Sequence, residues 1–164
     1  MSMKRWFVFI CLISVFLNPA YAGNIVPDSS SNRNLAPPSD MLSALDRITG
    51  EISNQLAIIR EENSISAESL RTIGISGENA TSVLVTKLEK VPYGHSSLII
   101  SPDNIVTAAA PVTFSGLIGT DLSYQPETRF ANERQEPVIS NIFYLEEGFY
   151  GISISYPIFS ENKE

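Results

Sequence analysis

Residue types that could do chemistry are scarce in this chain. It holds one histidine, His95, in the run Tyr93-Gly94-His95-Ser96, and one cysteine, Cys11. A catalytic triad would need a placed nucleophile and acid around the histidine, and no Gly-x-Ser-x-Gly elbow is present. A lone histidine builds a zinc site only with several carboxylates around it. The paired acids Glu61-Glu62 and Glu146-Glu147 read most simply as solvated charges at helix ends or turns. Gly116, Gly119 and Gly148 are isolated turn glycines, with no glycine-rich phosphate loop among them. The expectation is that the chain is not an enzyme, with no catalytic residues, no metal site and no cofactor.

Charge and composition narrow the partners. The chain has 11 basic and 18 acidic residues in 164, a formal charge of −7. That sign disfavours binding to a nucleic-acid backbone and to anionic membrane surfaces. The N-terminus reads as an export leader. Lys4 and Arg5 are basic, Trp6 to Leu17 is mostly apolar, and Ala20-Tyr21-Ala22 is a small-x-small cleavage site. Twelve apolar residues are short against the roughly 20 of a membrane span, so cleavage after Ala22 and a secreted or extracytoplasmic location are expected. Cleavage would remove Cys11, leave no cysteine and no stable membrane anchor, and bring the formal charge to −9.

The elements that would position any site follow from pattern. Residues 23–38 are rich in Ser, Asn and Pro and read as a disordered linker. Ser39 caps a helix in which Leu42, Leu45, Ile48, Ile52, Leu56 and Ile59 recur at three- and four-residue steps, to about Glu62. A short helix over Ser66 to Ile73 ends at Gly74, and another over Gly77 to Val91 is capped by Ser76. Asn79-Ala80-Thr81 is a glycosylation sequon, relevant only in a host that glycosylates exported proteins. Ser96–Ser101 and Ile105–Ala109 form a hairpin about Pro102-Asp103-Asn104. A loop at Gly119–Ser123, a polar helix over Gln125–Arg134, and a second hairpin, Val138–Leu145 with Gly148–Phe159, complete the chain.

This order, with Asp121-Leu122-Ser123, Pro137-Val138-Ile139-Ser140 and Ser155-Tyr156-Pro157-Ile158 in succession, resembles an extracytoplasmic Cache sensor domain over residues 39–164. The resemblance implies a PAS-like α+β fold, an antiparallel sheet preceded by a long N-terminal helix. It implies a small-molecule-binding sensor module, here without its own transducer. In that family the ligand lies on one sheet face under the loop-helix segment, here Thr120–Arg134. Amino-acid-binding members carry a similar Tyr-x4-Arg, met here as Tyr124 and Arg129, but the Trp-Tyr pair that follows it there is absent. A guanidinium fork suits a carboxylate, so the candidate ligand-binding residues are Asp121, Tyr124 and Arg129, and the ligand is a small organic acid or an amino-acid-like molecule. Asp121 can accept a ligand amine or cap the adjacent helix, and Arg129 can equally be a surface residue.

The stripe on the 39–62 helix packs on its own domain or forms a homodimer seam, as long N-terminal helices do in that family. The alternative function is then a secreted structural or interaction domain that pairs through this helix. The family's fifth, central strand would begin beyond Lys163, so the expected sheet lacks it. Either the sequence stops short of that strand, or another element or a partner chain fills the slot.

Overall fold

The computed structural model describes residues 12–13, 39–91 and 93–159. The segments read from sequence as an export leader (1–22) and a linker (23–38) lie outside the described residues, except for positions 12 and 13.

The first long element is α1, Ser39–Ile73, one unbroken helix of 35 residues. The two helices expected on either side of residues 63–65 are therefore one. Nothing in Asn63-Ser64-Ile65 breaks a helix, and Asn63, Ser66 and Ala67 are buried with Ile59 and Leu70, so packing overrides the modest intrinsic cost of Asn and Ser in a helix. Gly50 sits inside without ending it. Gly74 does end it, at φ 98°, with its N–H returning to the Leu70 carbonyl at 2.9 Å, the left-handed stop that glycine adopts without a Cβ clash.

Two compact units divide the helix. Of the described residues, Ser39–Leu56 belong to one, and 12–13, 57–91 and 93–159 belong to the other. In the first unit Met41, Leu42, Leu45, Ile48 and Ile52 are exposed.

The second unit carries the sheet. Helix α2, Gly77–Lys90, buries Ala80, Leu84 and Lys87 and packs on strands β2, Gly94–Ile100, and β3, Val106–Ala110. Ser76 stands at its N-cap position but makes no side-chain capping bond. β2 and β3 pair antiparallel through Leu98↔Ala109 and Ile99↔Ala108. The turn between them lacks a glycine because Asn104 itself takes φ 64°, and asparagine tolerates this region better than most residues. A short 3₁₀ helix at Val112–Leu117 follows, which the pattern did not foretell. Helix α3, Pro126–Arg134, comes next, with Pro126 in its first turn and Gln135 closing it at φ 57°.

The expected second hairpin is present but broken. Its strands are β4, Val138–Ile139, β5, Phe143–Tyr144, and β6, Tyr150–Ser155, with β4 and β5 both pairing β6 antiparallel. Ser140 interrupts the first arm: its N–H bonds the Ser153 carbonyl at 2.9 Å and its hydroxyl takes the Ser153 N–H at 2.8 Å. The continuous run Val138–Leu145 read from pattern is thus two short strands.

The central slot holds strand β1, Leu12–Ile13, antiparallel to both β2 and β6, so the sheet reads β3-β2-β1-β6-β4 with β5 also on β6. Among the described residues no C-terminal strand stands in that slot, in line with the expectation. An N-terminal segment joins the two hairpins instead. The form remains the expected one: a long helix followed by a PAS-like antiparallel sheet.

Alternation along β2 divides its neighbours. Leu98 and Ile100 join Val106, Ala109, Leu122 and Leu145 in one buried cluster, with Phe114, Leu117, Phe143 and Phe149 packed at its edge.

Candidate functional site

Helix α3 stands between a small internal cavity and an open groove. The cavity, about 40 Å³, lies over the sheet between Leu98, Ile100 and Leu122 on one side and Gln125 and Thr128 on the other, closed by Phe143, Leu145 and Glu147. That volume suits a water or two rather than an organic ligand. Thr128 Oγ1 donates to Gln125 Oε1 at 3.4 Å, so these two polar groups at the cavity wall are engaged with each other.

The groove on the other flank is about 590 Å³, within the range of sites for small organic ligands, roughly 300–1,000 Å³. Helix α3 lines it with Pro126, Glu127, Arg129, Phe130 and Glu133, and the opposite wall is Val138, Ile139, Ser140, Asn141 and Ser153. The spacing explains the lining. Residues 126, 129, 130 and 133 are three and four apart and so share one helix face. The break at Ser140 in the facing strand makes room for the groove. Glu127 and Ser153 border both groove and cavity.

Electrostatics mark the groove. The Arg129 guanidinium makes no hydrogen bond or ion pair among the described residues, whereas Arg134 lies 4.8 Å over the Phe130 ring and pairs with Glu136 at 3.1 Å. One free cation, two carboxylates at Glu127 and Glu133, hydroxyl and amide groups at Ser140 and Asn141, and an apolar floor of Phe130, Val138 and Ile139 therefore meet in one place.

The three residues named from sequence do not converge. Arg129 borders the groove. Asp121 is exposed and turns inward on its own loop, its Oδ1 accepting the Ser123 N–H at 2.7 Å. That bond holds its carboxyl below the usual aspartate value. Tyr124 is exposed, and its hydroxyl donates to Glu146. The hydrogen bond to the Glu146 carboxylate raises the phenol pKa, because the proton is held. Of the three, only Arg129 faces a space of ligand size.

Sequence reasoning passed over Glu147, read as a solvated turn charge. It is largely buried beside the cavity, where it accepts a hydrogen bond from Ser96 Oγ at 2.7 Å. Burial pushes its carboxyl above the ordinary glutamate value, and the Ser96 bond offsets part of that. The signal available was the aromatic Phe149 two residues on, whose ring lies 4.4 Å from His95 and helps seal this corner. His95 also packs on Phe114 at 5.3 Å. Among the described residues, no group of three or more His, Cys, Asp or Glu side chains is arranged to hold a metal ion, and no helix is long and apolar enough to cross a membrane.

A long helix leading into an antiparallel sheet, with a helix-covered face and a ligand-sized groove beside it, defines a PAS-like sensor domain. Residues 54–164 match the family described as HK/GC/chemotaxis protein-like, sensor domain, and the chain belongs to that family. It also resembles a solved structure, an extracellular ligand binding receptor from Desulfohalobium retbaense DSM5692. The TM-score is 0.69 at 26% identity, covering 72% of this chain and 22% of the receptor. The chain thus spans about a fifth of that receptor's length. No curated protein matches the chain.

Proposed function

We propose that this chain is an extracytoplasmic sensor module that binds a small molecule in the groove between α3 and β4. The observation that carries this reading is the ligand-sized groove with an unengaged guanidinium, Arg129, at its wall. Membership of a sensor-domain family and likeness to an extracellular ligand binding receptor support it. The basic-apolar-small start of the chain supports export. A sensor domain of this kind is non-enzymatic, and its work is to convert occupancy into a change of shape.

The ligand is a small organic acid or an amino-acid-like molecule. Arg129 offers a fork for a carboxylate, Glu127 and Glu133 offer acceptors for an amine, and Phe130 with Val138 takes an apolar side chain. At a net charge of −7 the protein repels anions at long range, so recognition depends on this local cation. Asp121 and Tyr124 act from the neighbouring loop. Tyr124 ties it to the second hairpin through Glu146, and Asp121 holds the turn entering α3. A thermal-shift screen of organic acids and amino acids tests the reading. A ligand should raise the midpoint of the parent and not of Arg129→Ala. Equal shifts in both proteins remove Arg129 from the site, and a screen without any shift removes the ligand class.

A second reading rests on a separate observation. Five large apolar residues between Met41 and Ile52 are exposed on one helix, and an apolar stripe of this kind is a seam for a second copy of the same helix. Homodimerisation through residues 39–62 fits a sensor as readily as a structural or interaction protein.

A further inference from the structure

We propose that the seam between α1 and α2 holds a second small-molecule site, one for a small neutral polyhydroxylated compound. The site is separate from the sensor groove, since the two share no lining residue. The seam opens as a groove of about 210 Å³. That is below the roughly 300–1,000 Å³ of sites for drug-sized ligands, and it fits a molecule of a few carbons. Positions 62, 65, 66 and 69 form its α1 wall, and positions 82, 83, 86, 87 and 90 its α2 wall. Steps of three and four residues place each set on one helix face.

Ser66 is the observation that points to a ligand. It is 4% exposed, yet among the described residues no hydrogen bond engages its hydroxyl, which lines the groove. Buried hydroxyls in native proteins are satisfied as a rule, so this one calls for a partner from the groove side. Three more hydroxyls surround it. Ser69 Oγ donates to the Ile65 carbonyl and Ser82 Oγ to the Glu78 carbonyl, both at 3.0 Å, so each turns its oxygen outward as an acceptor. Thr86 is exposed at the rim and offers both functions. Donors and acceptors are thus interleaved, and the group that answers both at every position is another hydroxyl. Ile65 and Val83 supply apolar contact for the carbons between.

Charge argues against an anion. Lys90 Nζ pairs with Glu62 at 3.1 Å, and Lys87 Nζ donates to Asn63 Oδ1 at 3.2 Å. Both lysines stand in the last turn of α2, where the negative end of the helix dipole favours a cation and opposes an incoming anion. The ligand is therefore neutral.

Titration of the full chain, followed by amide NMR shifts, tests this. The probe is erythritol, a small neutral polyol, with inorganic phosphate as the charged alternative. Erythritol should shift the amides of 62–69 and 82–90 along a saturating curve, and phosphate should not. Thr86→Phe fills the groove from an exposed position and should weaken binding about tenfold or more. Ser66→Ala removes one donor and should weaken it about threefold to tenfold. Val85→Phe, exposed on α2 outside the groove, and Arg129→Ala, in the other groove, should leave the affinity unchanged. Erythritol shifts that never saturate, an affinity unchanged in Thr86→Phe or in Ser66→Ala, or phosphate saturating these amides in place of erythritol each overturn the proposal.

Discussion

Asn63 is where the helices and the sheet meet, and replacing it by alanine probes that junction. The side chain is fully buried and makes two bonds, donating to the Ile154 carbonyl at 3.4 Å and accepting from Lys87 Nζ at 3.2 Å. Removing the buried Asn63 amide costs about 1–3 kcal/mol for each group that loses a partner, the Lys87 amine and the Ile154 carbonyl. The Ile154 contact is long, so its share belongs at the low end, and the sum is about 3 kcal/mol. A domain of this size loses roughly 3–6 °C per kcal/mol, which gives a drop in Tm of about 10–15 °C. Circular dichroism melts and urea titration of the full chain measure it, with Asn54→Ala on the exposed part of α1 as the control, expected within about 0.5 kcal/mol. A fall of under 3 °C, roughly 1 kcal/mol by the same conversion, would refute the reasoning. The Asn63 bonds would then contribute no more than the water they displace.

Two further outcomes follow from burial and exposure. Glu147 has its pKa raised by burial, so ionising it works against the fold. The stability it allows is complete below the ordinary value of 4.5 and is lost as pH rises through the folded value. Glu147→Gln keeps an acceptor for Ser96, should raise Tm at pH 7, and should flatten the decline of Tm above pH 4.5; melts across pH 4 to 8 that run parallel to the parent would contradict this. Leu45→Glu with Ile52→Glu, both more than half exposed, should convert a dimer to monomer in sedimentation velocity with the Tm of the monomer unchanged. A parent that sediments as a monomer at micromolar concentration removes the helix seam.

Local and periodic features were legible from sequence because neighbouring residues determine them. The three- and four-residue stripe located α1, Gly74 marked its end, Pro126 with the polar run to Arg134 marked α3, and the order of hairpins and helices identified a PAS-like sensor fold. The pattern misjudged places where distant contacts decide. Residues 63–65 continue a helix because Asn63 finds Ile154 and Lys87, which lie far along the chain. The second hairpin breaks at Ser140 because its hydroxyl takes over a ladder bond from Ser153.

For the site, composition showed little catalytic chemistry, and the resemblance to Cache sensor domains, through its Tyr-x4-Arg element, singled out Arg129. Only the tertiary structure turned Arg129 to a groove while spending Asp121 on its own loop and Tyr124 on Glu146. Only the tertiary structure buried Glu147 against Ser96. The occupant of the central slot was the least legible of all. A two-residue strand carries no period, and strand pairing is set by which open backbone edges meet in space, so the role of Leu12–Ile13 rests on β2 and β6 standing on either side of it.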